Sequence, residues 1–125
     1  TPPVISDLGQ QATLDDLFSG QRMSFEIVER FEEHYVNTRV GWSGTVTDVH
    51  TYRHDNDFGD GPGLKATVLL GSSGRGALIS NEVHAVVQLA IDDSIERGRS
   101  VSFTGTLLHV DRFARKLYLS RGVLT

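Results

Sequence analysis

Apolar positions recur every three to four residues as far as Tyr35 and every second residue from Arg39 onward, so the chain divides into a helical front and a strand-rich remainder. The run from Thr13 to Phe18 has a capping-type threonine, two early carboxylates and an apolar i, i+3, i+4 set, and Ser19-Gly20 ends it. This predicts a short helix over 13–18. Behind Ser24, the residues Phe25, Ile27, Val28, Phe31 and Tyr35 repeat near 3.6, with Glu26, Glu29, Glu32 and Glu33 between them. A second helix over 24–35 follows, its glutamates forming a solvated face. Ahead of both, Thr1-Pro2-Pro3 reads as extended linker, because proline fixes its own φ and restricts its predecessor. Residues 1–11 are accordingly assigned to a linker, 12–125 to one domain, and the chain is expected to be a piece of a longer protein.

Five strands are predicted behind Asn37. Residues 39–49 alternate Val40, Trp42, Gly44 and Val46 with Ser43, Thr45 and Thr47, a half-buried pattern rich in β-branched side chains. Residues 64–70, 82–89, 100–110 and 116–123 supply the others. Between them, 53–63 crowds Asp, Asn, Gly and Pro and predicts a loop, 71–74 (Gly-Ser-Ser-Gly) a turn, and 92–97 a single helical turn closed by Gly98.

Two of the strands echo each other. Residues 39–49 and 100–110 share the pattern Val-x-aromatic-hydroxyl-Gly-Thr-aliphatic-x-x-Val, with Trp42 and Phe103 as the aromatics and Gly44 and Gly105 in mid-strand. Two copies are too few for a solenoid or propeller. A glycine in mid-strand weakens a flat strand but permits the coiling of a small closed barrel. Through these two segments the stretch 39–123 resembles the OB-fold superfamily, the five-stranded Greek-key barrels that include anticodon-binding-like and single-strand-binding domains. The resemblance implies a mainly β protein: a small OB-like barrel whose first and fourth strands are long, coiled and glycine-bearing, here with an N-terminal helical extension. It further implies a helical element between strands three and four. The segment available there is too short for a full capping helix, and the helix before strand one is in position to take that role.

Composition then removes mechanisms. The 125 residues are one ordinary domain's length, and no stretch approaches the ~18 consecutive apolar residues of a transmembrane helix, so no membrane association is expected. With no cysteine, disulfides, thiolate zinc sites and cysteine nucleophiles are excluded. The same absence, with no signal peptide in these residues, favours a cytoplasmic location. The net charge of -4 weighs against unselective phosphate binding, yet it hides an asymmetry of -7 over residues 1–60, -2 over 61–96 and +5 over 97–125.

Chemistry-bearing residues are few. Trp42 and Phe103 are assigned to the core by their alternation. The resemblance implies binding through the loops after strand one and between strands four and five. The first, 50–63, is acidic and carries Tyr52, Arg53 and Phe58; the second, 111–116, is basic and carries Arg112, Phe113, Arg115 and Lys116, with Tyr118 and Arg121 following on strand five. Tyr52, Phe58, Phe113 and Tyr118 are the candidates for aromatic stacking. His50 and His54, four apart beside Asp55 and Asp57, could hold zinc in principle, but a hydrophilic turn is the expected reading. The segment 55–61 breaks the EF-hand pattern at its fifth and sixth positions, and His34, His84 and His109 stand alone. No P-loop, Gly-x-Ser-x-Gly elbow or His-Glu-x-x-His occurs, so no catalysis and no cofactor are expected. The expectation is a non-catalytic OB-like interaction module recognising a protein or peptide, or neighbouring domains of its parent chain, through the 50–63 and 111–116 loops. The alternative is single-stranded nucleic acid bound by the basic 111–121 segment.

Overall fold

A computed structural model describes residues 9–18, 23–72 and 82–125. Two helices, α1 (Gln10–Phe18) and α2 (Ser24–His34), precede five strands, β1 (Arg39–Asp55), β2 (Gly59–Ser72), β3 (Glu82–Leu89), β4 (Ser100–Asp111) and β5 (Lys116–Leu124). The strands form one sheet in the order β1-β2-β3-β5-β4, and β1 pairs with β4 to close the ring. All neighbours are antiparallel except β3 and β5. The mainly β expectation holds.

The internal echo acquires a physical meaning in the β1–β4 register. Because the two copies run antiparallel, Trp42 stands opposite Phe103, Val40 opposite Gly105, and Gly44 opposite Val101. Each glycine therefore faces a valine from the other copy, and the two aromatic residues are paired at the centre. Trp42 and Phe103 are 4% and 2% exposed, as their alternation predicts, and they share the core with Val46, Val68, Leu107, Leu117 and Leu119.

The helices bury Leu14, Leu17, Phe18 and Phe31 in that same core. α1 begins three residues earlier than the apolar pattern indicates, taking in Gln10 and Gln11, which the sequence reading assigned to a linker. Thr13 is not a cap: its hydroxyl donates back to the Gly9 carbonyl at 2.9 Å, the i−4 bond open to a threonine inside a helix. Gln10 and Gln11 carry no apolar periodicity because their task is polar. The Gln10 amide donates to the Ser43 and Leu70 carbonyls at 2.7 and 2.8 Å and accepts from the Ser43 N–H at 2.9 Å, bridging β1 and β2. Gln11 reaches the Ser72 carbonyl. α2 stops at His34, with Tyr35 as its C-cap rather than its last residue. Tyr35 instead donates its hydroxyl to Asp16, which also accepts from Arg30 at 2.9 Å, tying the helices together. Burial first, and then this carboxylate, push the Tyr35 phenol up to about 12.

Three further boundaries differ. Gly71 and Ser72 belong to β2, while 73–74, like the linker residues 1–8, lie outside the described residues. Residues 92–97 form no helical turn. Their neighbours act as a strand substitute, with Val46 N–H donating to Arg99 at 2.8 Å and Gly98 N–H donating to Val46 at 2.7 Å, which continues the β1 edge past the end of β4. The largest difference is at 53–63, where strand structure replaces all but a short turn.

Candidate functional site

β1 keeps its β4 neighbour only through Thr45, and β2 meets β3 only from Leu64 onward. Between these limits β1 and β2 still pair with each other, from Thr51↔Leu64 to Asp55↔Gly59. Residues 50–63 are thus a two-stranded arm and not a loop. Alternation failed to reveal it because neither face of the arm is a core face, so polar residues occupy both.

The tip of the arm is a turn organised by Asp55, whose carboxylate accepts the N–H groups of Asp57 and Phe58 at 2.9 and 3.0 Å. A register shift between Val46 and Asp48 bends β1, and a second follows between Tyr52 and His54. Tyr52 lies directly over Gly63, its cross-strand partner, where any side chain would overlap the phenol ring.

The bent arm rests on the outer face of the sheet. The Phe58 ring sits between Tyr52 and Tyr118, 6.2 and 6.3 Å centroid to centroid, and Tyr118 stacks on His109 at 4.2 Å. Three polar contacts, each to a different strand, accompany the rings. Gln88 of β3 donates to the Tyr52 hydroxyl at 2.9 Å, Lys65 of β2 to Asp55 at 2.5 Å, and His109 of β4 bonds Asp57 at 2.6 Å. Val86 pairs with Tyr118 and alternates with the core residues Ala85 and Val87, so it points outward, yet it is only 5% exposed. Burial raises the carboxyl pKa of Asp55, but the Lys65 ammonium and the two backbone amides outweigh it and hold Asp55 below its ordinary value. Asp55 raises Lys65 in return. Burial, with Asp57 and Asp111 nearby, pushes the Tyr118 phenol up.

The basic segment does not form a single surface. Asp111 caps the β4–β5 turn by accepting from the Phe113 and Ala114 N–H groups. At its tip Phe113 is 76% exposed, with the Arg112 guanidinium 4.7 Å from its ring centroid. Arg115, in the left-handed region at φ 56°, turns toward α1, where it donates to the Phe18 carbonyl and lies 5.3 Å above the Phe18 ring. It is a packing residue. Lys116 pairs in register with His84 beside an open groove lined by Thr47, Asp48, Thr67 and Arg97. Burial lowers the pKa of His84. Arg121, also left-handed, is exposed, its backbone N–H held by Gln88. Arg53 is exposed on the arm. Of the nine residues named from sequence, the structure therefore brings together three: Tyr52, Phe58 and Tyr118.

Sequence reasoning missed Lys65, Val86, Gln88, His109 and the seated role of Asp57. Asp57 and His109 are 52 positions apart, so no local spacing signals their contact. One trace was available, a valine flanked by core valine and alanine on a strand otherwise alternating. His50 and His54 go to different carboxylates, Asp48 at 2.7 Å and Asp60 at 2.9 Å, and share no centre. Among the described residues no group of three or more histidines and carboxylates could hold a metal ion, and no helix is long and apolar enough to cross a membrane. Compared with protein-family models, curated proteins and solved structures, the chain matches none of them.

Proposed function

We propose that the chain is a non-catalytic, OB-like interaction module that recognises a protein or peptide. The OB-like reading is supported by a closed five-stranded ring whose long first and fourth strands carry the matched glycines. The observation that carries the choice of partner is the use made of Tyr52, Phe58 and Tyr118. Single-stranded nucleic acid is bound by aromatic faces presented to bases and interleaved with cations. Here the three rings pack on one another and on His109, and an arm bearing Asp55, Asp57 and Asp60 lies over the face that phosphates would have to approach. The cations of the 111–121 segment point to separate surroundings, one of them into the helical layer. Phe113 with its stacked Arg112 offers instead an exposed apolar and cationic tip of the kind found at protein interfaces.

Labelled single-stranded DNA and RNA, titrated by fluorescence anisotropy at low and physiological salt, test this reading. The expected result is no binding tighter than roughly 100 μM at physiological salt, the weak end of non-specific association. Micromolar, salt-sensitive binding that is lost on Arg112→Ala with Lys116→Ala would overturn it in favour of the nucleic-acid alternative.

A further inference from the structure

The arm tip occupies its face as a ligand would, and its chemistry describes what that face selects. Each part of the tip has a counterpart from a different strand: the Asp55 carboxylate on Lys65 of β2, the Asp57 carboxylate on His109 of β4, and the Phe58 ring against Tyr118 of β5. Tyr118 is backed by His109 and lies beside the outward valine, Val86, on β3. Lys65, Val86 and Tyr118 have a paired strand on each side and His109 is paired with Tyr118, so the counterparts form a rigid seat. The arm has no such support. Beyond Val46 and before Leu64 its strands pair only with each other, and among the described residues its tip reaches the other strands through side chains alone. A two-stranded hairpin without a third strand is marginal by itself. Gly59 and Gly61, at φ 85° and 115°, and the two register shifts let it bend without breaking the ring.

We propose that the seat formed by Lys65, His109, Tyr118 and Val86 is a binding site for an acidic–aromatic segment of a partner polypeptide, and that the Asp55–Phe58 turn is an internal occupant which that segment displaces. The proposal rests on the reading of the chain as a polypeptide-recognition module and names the chemistry of its partner. Two carboxylates followed by an aromatic ring satisfy the seat, whereas a basic or wholly apolar segment would leave Lys65 facing no anion. The tether presents the arm to its seat at an effective concentration on the order of millimolar, so the closed form resists any ligand that does not reproduce or exceed these contacts. The arm thereby acts as a selectivity filter as well as a cover.

The test uses a synthetic hairpin peptide with the sequence of residues 54–60, closed by a disulfide between flanking cysteines, and the cysteine-free chain in its native form and as the triple variant Asp55→Ala, Asp57→Ala, Phe58→Ala, which removes all three tip contacts. Binding is read from the His109 and Tyr118 ring resonances. The emptied variant should bind the peptide at least about tenfold more tightly than the native chain, because the tethered competitor is gone. A peptide with asparagine at both seated aspartates, or alanine for its phenylalanine, should lose that binding, as should adding Lys65→Ala to the emptied chain. Should the triple variant fail to fold, Asp57→Ala alone must show the same order of affinities with a smaller separation. No binding to a folded emptied chain, or equal binding of the asparagine peptide, overturns the proposal and leaves the module reading standing. Binding of oligothymidylate in place of the peptide, at the same resonances, overturns both.

Discussion

Gly44→Ala should lower the stability of the chain by roughly 3 kcal/mol, the upper range for forcing an extra methyl into a packed interior. Its new methyl would overlap the Leu69 carbonyl oxygen and come within 2.8 Å of Val68 Cγ1. Neither neighbour can withdraw cheaply. Leu69 is paired on one side with Thr45 and on the other with His84, so moving its carbonyl disturbs β1 and β3 together. Position 44 is also where β1 passes from β4 to β2, which makes a close backbone approach a condition of closing the ring. Urea denaturation followed by circular dichroism measures the loss. Ser43→Ala, on the opposite face of the strand, should stay within about 0.5 kcal/mol of the native chain. A native midpoint for Gly44→Ala would contradict this account of the ring.

Phe103→Ala should cost about 3–5 kcal/mol, the usual range for deleting a buried aromatic side chain. The ring is 2% exposed and directly opposite Trp42, so the void opens at the centre of the matched segments. Trp42→Ala should cost a similar amount. Since the two residues are cross-strand partners in one core, the double variant should lose less than the sum of the two, with a coupling above about 0.5 kcal/mol in the same denaturation experiment. Strict additivity would mean that the two rings do not share a site.

Where one face of an element looks into the core, its residues announced it. Val40, Trp42 and Val46 on β1, and the apolar stripe of α2, are cases in which burial imposes a period on the chain, and the element limits inferred there hold except where β1 and β2 run on into the arm. The echo between 39–49 and 100–110 was visible as well, although only the antiparallel register explains why a glycine in one copy answers a valine in the other. What sequence could not supply is structure stabilised by specific polar contacts. Gln10 bridges two strands through its amide, and nothing in Gln-Gln-Ala predicts that. The arm is the larger case. Its residues face solvent or side chains of β2, β3, β4 and β5, so composition alone made it look like a loop. The aromatic candidates Tyr52, Phe58 and Tyr118 were identified, but not that the acidic 50–63 segment carrying two of them is paired strand. The acidic segment folds down onto β2, β4 and β5, while Arg115 joins the helical layer. Long-range contacts of this kind carry no local period, and a single chain offers no pattern from which to read them.

The seating of the arm is the claim on which the functional reading and the ligand proposal both depend. A nuclear Overhauser spectrum of the full chain at neutral pH tests it most directly. The account predicts cross-peaks from the Phe58 ring to the rings of both Tyr52 and Tyr118, together with His109 ring protons shifted upfield by the Tyr118 face stacked upon them. Phe58 resonances at solvent-exposed positions, with no cross-peak to Tyr118, would show an arm that stands away from the sheet and would contradict the account.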